Sequence, residues 1–90
     1  MKYNIRRTNQ FKKDIKHLLG GGKDIENLLV VINKLAKGRS LASHYKDHTL
    51  KGKYKKIHDC HIEPDWILLY TIEDDELVLF RTGSHARLFG

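Results

Sequence analysis

The hydrophobic rhythm of this chain changes along its length, and each change marks an element. Residues 2–6 alternate polar and apolar, with Tyr3 and Ile5 on one face, which predicts a short strand. From Thr8 onward, Phe11, Ile15, Leu18 and Leu19 recur at i, i+4, i+7 and i+8, the stripe of an amphipathic helix with Thr8 as its N-cap. Gly20-Gly21-Gly22 ends that helix, because glycine costs about 1 kcal/mol at each helical position. A second helix is predicted from about Lys23 to Lys37, with Ile25, Leu28, Leu29, Ile32, Leu35 and Ala36 as its stripe and Gly38 as its C′ residue. Two such stripes must be buried against each other or against a sheet. The first half therefore reads as a helical hairpin with a structural task.

After Gly38 the period shortens. Residues 39–52 have loop character, with a short strand before Gly52. Lys53 to Ile62 reads as extended, Glu63-Pro64-Asp65 as a turn, and the apolar run Trp66–Ile72 as a covered strand. An acidic turn, Glu73–Glu76, leads to a last strand over Leu77–Thr82 and a tail over Gly83–Gly90. The order predicts a single α+β domain over residues 1–90: two layers, with a helical hairpin packed on a mainly antiparallel β-sheet. Tight turns then set the register. His61 should face Ile67, Ile62 should face Trp66, Ile72 should face Leu77, Tyr70 should face Leu79, and Ile67 should face Thr82.

Composition narrows the setting. At 90 residues and 40% hydrophobic, the chain can build one modest core. No apolar run approaches the roughly 18 residues that would span a bilayer, and the polar, alternating start is unlike a signal peptide. A lone Cys60 allows no internal disulfide and suits a reducing compartment, so a cytoplasmic location is expected. The 17 Lys and Arg outnumber the 11 Asp and Glu, for a formal net charge of +6. Six of those acids lie between Glu63 and Glu76, a stretch without Lys or Arg, which leaves the remainder strongly basic. Such a surface draws polyanions, whether nucleic acid or an acidic protein.

Candidate chemistry concentrates in the second half. Five of six histidines, His44, His48, His58, His61 and His85, follow residue 40. The predicted register brings His61, Asp65, Trp66 and the start of the tail carrying His85 to one end of the sheet. His48 precedes the meander, and Arg81 lies beside Thr82. Cleaving RNA through its 2′-hydroxyl requires a base, an acid for the departing 5′-oxygen, and a cation for the phosphorane charge. Histidine serves as base or acid near neutral pH, and arginine fits phosphate oxygens with a planar fork. Trp66, Tyr54 or Phe89 could stack on a splayed base. Each group also has a structural reading: Trp66 in the core, Arg81 paired with a nearby acid, Asp65 shaping its turn, Cys60 simply buried. A zinc site built from His44, His48, His58, Cys60 and His61 is the weaker alternative, because positions 58 and 61 of a strand point to opposite faces.

As a set, Tyr45-Lys46-Asp47-His48, Leu50 with Gly52, Asp59 with His61, Glu63–Tyr70, Arg81-Thr82-Gly83, His85 and Leu88-Phe89-Gly90 resemble the YafQ-type branch of the RelE superfamily. Those proteins are bacterial toxin ribonucleases of type II toxin–antitoxin modules, and the resemblance spans essentially the whole chain. It implies ribosome-dependent mRNA cleavage without metal or other cofactor. By position, His48, His61, Asp65 and His85 would form the proton-transfer set, with His85 as acid and His48 or His61 as base. Arg81 would stabilise the phosphate, Trp66 and Phe89 would shape the pocket or stack on a base, and Lys51, Lys53, Lys55 and Lys56 would meet ribosomal RNA. The implied partners are a cognate antitoxin, the ribosome and mRNA, with promoter DNA only as a toxin–antitoxin complex and no membrane. A member of this fold that only binds RNA or its antitoxin is the other reading. His58 departs from the family pattern, standing where relatives often carry arginine.

Overall fold

The computed structural model describes residues 1–52 and 56–90, so the expectations placed on Lys53, Tyr54 and Lys55 lie outside the described residues. In chain order, β1 (Asn4–Arg7) is followed by α1 (Asn9–Gly20) and α2 (Glu26–Ala36). A 3₁₀ turn (Ser43–Tyr45), β2 (His48–Thr49), β3 (His58–Glu63), β4 (Trp66–Glu73), β5 (Glu76–Gly83) and α3 (His85–Phe89) complete it. The described strands form one five-stranded sheet ordered β1-β5-β4-β3-β2. Every pairing is antiparallel except β1 with β5. This is the α+β architecture that the hydrophobic pattern predicts.

The N-cap of α1 is Thr8. Its hydroxyl oxygen accepts from the Phe11 amide at 3.0 Å, while the hydroxyl donates to the Phe80 carbonyl at 2.8 Å. One side chain thus starts the helix and ties it to β5. α2 begins at Glu26, three residues later than the stripe predicts. Asp24 Oδ1 accepts from the Glu26 amide at 2.9 Å, a local turn that competes with helix, and Lys23 turns away to Glu63 at 2.8 Å.

Period-two alternation sorts the sheet into two faces. Cys60, Ile62, Trp66, Leu68, Tyr70, Leu77 and Leu79 join Phe11, Leu28, Val31, Ile32, Leu35 and Ala36 in the core beneath the helices. The intervening Ile67, Leu69 and Val78 are also buried but stay out of that cluster, so they floor the opposite, outer face. At the β4–β5 turn, Asp74 and Asp75 take φ of 51° and 64°, the backbone of a tight two-residue hairpin.

Two irregularities correct the predicted register. Ile72↔Leu77, Tyr70↔Leu79 and His61↔Ile67 pair as expected. Beyond Leu79, however, Phe80 is an extra residue, so Leu69 pairs with Arg81, Leu68 with Thr82, and Ile67 with Gly83 rather than Thr82. Ile62 is likewise bypassed, and Trp66 pairs with Glu63 instead. A bulge exchanges the faces beyond it: Thr82 goes to the core side, and Arg81 comes level with outer-face Leu69. The segment 85–89, read from sequence as part of a tail, is the helix α3. Ser84 caps it, its hydroxyl oxygen accepting from the Arg87 amide at 3.1 Å.

Candidate active site

The outer face gathers the candidate residues from four elements. His48, at the start of β2, pairs in register with Asp59 of β3. Its Nδ1 lies 2.7 Å from the Lys46 carbonyl. A carbonyl only accepts, so Nδ1 carries a proton, which in the neutral ring leaves the lone pair on Nε2. The exposed ring thereby turns Nε2 to solvent.

His61 lies two residues beyond Asp59 on the same face, its Nε2 3.8 Å from Asp59 Oδ1. That oxygen is buried and has no hydrogen-bond partner among the described residues.

From His61 the register crosses Ile67 to Gly83, two strand spacings or about 10 Å away. Two residues further on, His85 opens α3. Its backbone N–H donates to Asp65 Oδ1 at 3.3 Å, and its ring packs against Phe89 with centroids 5.0 Å apart. Asp65 therefore ties the β3–β4 turn to α3 and fixes where His85 begins.

Arg81 is held from behind. Its Nε and NH2 donate to the two carboxylate oxygens of Asp14 on α1, each at 3.0 Å. Asp14 is wholly buried and also accepts from the Thr82 amide at 3.2 Å and Gln10 Nε2 at 3.2 Å. Burial alone would raise the Asp14 carboxyl, but the Arg81 fork, the Thr82 amide and Gln10 outweigh it and leave the group below the ordinary carboxylate value. The hydrogen bonds to Asp14 in turn push the Arg81 guanidinium up, so its charge is permanent. Arg81 lines a hollow of about 340 Å³ with Leu50, Ile57, Leu69, Phe80, Leu88 and Phe89. The hollow is apolar with one cation on its wall, a shape that suits a flat base beside a phosphate. Phe89, at 46% exposed, keeps a free face there.

The structure thus brings His48, His61, Asp65, His85, Arg81 and Phe89 to the outer face or its rim. Trp66 departs from the stacking expectation. It is 3% exposed in the core, its indole N–H donates to Thr82 Oγ1 at 2.9 Å, and the Lys23 ammonium sits 4.9 Å from its ring centroid. The bulge that moves Thr82 inward supplies this partner, and what remains to Trp66 is shaping the site from behind. Lys51 and Lys56 are exposed. His58 stacks on Tyr70, while His44 stacks on Tyr45 and lines a second hollow together with His61 and Lys46. Burial pushes the Cys60 thiol up to about 12, with Asp47 and Asp59 adding to it, so it offers no nucleophilic thiolate. No group of three or more His, Cys, Asp or Glu converges to hold a metal ion among the described residues.

Two carboxylates have a place at the site that the sequence reading did not assign them, Asp59 having entered only as part of the family pattern and Asp14 not at all. Asp59 could have been found, because a strand places it on the same side as His61. Asp14 stands three residues after Phe11 on the apolar stripe of α1, where a lone acid signals a buried partner.

Comparison with known proteins gives a consistent result. The family model for the YafQ bacterial toxin of type II toxin–antitoxin systems matches residues 3–90. The mRNA interferase toxin YafQ of Escherichia coli is 41% identical over 88 residues, 97% of this chain and 96% of the relative. A crystal structure of the E. coli DinJ–YafQ toxin–antitoxin complex superposes with a TM-score of 0.91 at 40% identity, covering 100% of both chains. A copper-bound mutant toxin from Helicobacter pylori superposes with a TM-score of 0.93 at 44% identity, covering 97% of this chain and 99% of that one.

Proposed function

The chain belongs to the YafQ family of bacterial type II toxins, and from that premise we propose that it is an mRNA endoribonuclease acting through the substrate's own 2′-hydroxyl. The observation that carries the reading is the outer face itself. The imidazoles of His48 and His61 each lie beside a different acceptor, the backbone of His85 is tied to Asp65, and the same face carries an apolar hollow with an arginine on its wall.

In the proposed reaction, a nucleotide lies with its base in the hollow against Phe89 and its 3′-phosphate at Arg81. His48 Nε2 takes the proton of the 2′-hydroxyl, whose oxygen attacks the phosphorus. His85 gives a proton to the 5′-oxygen as its bond to phosphorus breaks. The products are a 2′,3′-cyclic phosphate and a 5′-hydroxyl. His61, with Asp59 behind it, and the Arg81 guanidinium stabilise the phosphorane oxygens, a task worth several kcal/mol in a desolvated site. Asp65 anchors His85. Base, acid and cation are all side chains of this chain, so the proposed reaction needs no metal.

The basic surface, with Lys51 and Lys56 exposed on it, suits ribosomal RNA, and the activity is read as ribosome-dependent and cytoplasmic. The same surface calls for an acidic cognate antitoxin, as the E. coli YafQ pairs with DinJ. Mapping cleavage ends on a translated mRNA, with and without ribosomes and with and without chelator, tests all of this. A cyclic or 3′-phosphate end that forms only with ribosomes and survives chelation is expected. A 3′-hydroxyl end would rule the mechanism out.

A further inference from the structure

On the inner side of the sheet, directly behind His48, three side chains that the proposed reaction does not use are linked. Tyr70 donates its phenolic hydrogen to Asp47 Oδ2 at 2.7 Å. His58 Nδ1 lies 3.1 Å from Asp47 Oδ1, and its ring stacks on that of Tyr70 with centroids 4.8 Å apart and planes 21° from parallel. His58 and Tyr70 are also register partners on β3 and β4. The carboxylate of Asp47 is therefore gripped at both oxygens by the middle of the sheet.

Asp47 immediately precedes His48. The chain leaves the 3₁₀ turn through Lys46, whose φ of 51° is a strained backbone for a residue with a side chain. It then alternates: Asp47 reaches the core-side Tyr70, and His48 comes level with outer-face Asp59. The Lys46 carbonyl, on the other flank of Asp47, is the acceptor that fixes the His48 tautomer. β2 itself is only two residues long and pairs with β3 at two positions. Two register pairs hold a strand weakly, so the placement of His48 depends on what anchors residue 47.

We propose that the Asp47–Tyr70–His58 cluster is a positioning clamp that holds the Lys46–His48 segment so that His48 presents Nε2 to the 2′-hydroxyl. Tyr70 suits the task. Its ring is buried, and burial together with Asp47 raises the phenol far above its ordinary value, so it remains a donor throughout the working range. His58 adds a second donor and a flat surface that keeps the Tyr70 ring in place. Asp47, Tyr70 and His58 touch no reacting atom; they act through His48.

The clamp rests on the assignment of His48 as base, and the test separates the two. kcat and KM for cleavage of a translated mRNA are measured for the purified chain and its variants, and the His48 ring nitrogens are followed by nitrogen-15 NMR. Asp47→Ala should lower kcat about tenfold with KM nearly unchanged, as a displaced catalytic group does, and the Nδ1–H tautomer signature of His48 should be lost. Asp47→Asn should recover most of the rate, because an amide oxygen still accepts from Tyr70. Val31→Ala, a core truncation in α2 away from this loop, should lose stability yet keep kcat. If Asp47→Ala proves unstable, Tyr70→Phe retains the stacked ring and carries the same expectation. Wild-type kcat and an intact tautomer in Asp47→Ala, beside an inactive His48→Ala, would overturn the clamp and leave the base assignment standing. Wild-type cleavage by His48→Ala would overturn both.

Discussion

The two faces of one sheet have been put to different uses. The inner face is closed by α1 and α2 over Cys60, Ile62, Trp66, Leu68, Tyr70, Leu77 and Leu79. Its polar atoms are matched, as when Trp66 donates to Thr82 and Thr82 to the Ile67 carbonyl at 2.9 Å. The outer face has an apolar floor of Ile67, Leu69 and Val78, but exposed or half-exposed histidines surround it, and the one partnerless buried side-chain oxygen among the described residues, that of Asp59, belongs there. Alternation along β3 and β4 therefore divides stability from reactivity residue by residue. Inner truncations outside the Asp47–Tyr70–His58 cluster should cost folding free energy and spare the chemistry of the molecules that remain folded. Outer truncations should do the reverse.

The sharpest way to break that division is His85→Ala. Cleavage of a translated mRNA should fall about a thousandfold, the scale of a lost general acid, with antitoxin binding and the melting temperature nearly unchanged. Undiminished cleavage would remove His85 from the outer-face set. Asp14→Ala crosses the boundary. It should cost about 3–5 kcal/mol in denaturant unfolding, because the partly buried Arg81 loses its counter-charge, and cleavage should also fall as the Arg81 fork is released. Leu28→Ala, wholly on the inner side, should cost about 3 kcal/mol of stability while the folded fraction cleaves at the wild-type rate. The acid limb of stability sharpens the role of Asp14. Its carboxyl is depressed in the folded state, so its contribution is present above the unfolded carboxylate pKa and lost as pH falls through the folded one. Unfolding titrations from about pH 7 to about pH 3 should therefore show a shallower acid decline in Asp14→Asn than in wild type. Least costly is Ser84→Ala, which removes the cap of α3 for about 1 kcal/mol. A local rise in amide exchange over residues 85–89 with unchanged global unfolding is the expected signature.

How much of this was legible depended on how far each signal extends along the chain. The helical hairpin declared itself, since its stripes repeat over several turns and Thr8 is a strong cap. The β4–β5 hairpin was legible as far as Leu79, because its turn fixes the pairs nearest to it. The bulge at Phe80 was not, since one extra residue leaves the alternation of Leu77, Leu79 and Arg81 looking regular. That single insertion decided whether Arg81 or Phe80 came level with Leu69. The five residues of α3 are too few to show a helical period. Among the candidate site residues, the histidines could be picked out by clustering and resemblance. Trp66 could not be assigned to a face until the partner of its indole N–H was known.

The grip of Asp14 on Arg81 joins positions 67 apart in the chain, and the Thr8 hydroxyl reaches 72 positions to Phe80. β5 lies between β1 and β4, so β1 has no neighbour in the sheet until β5 has been made and has left the ribosome. Contacts of such long reach form late, after the loops between them have been closed. A nascent chain therefore carries its helical hairpin and several of its histidines while still lacking the strand that supplies Arg81 and leads to His85. The order of synthesis delays the proposed ribonuclease: its cutting groups are complete only after the last described strand and helix have emerged.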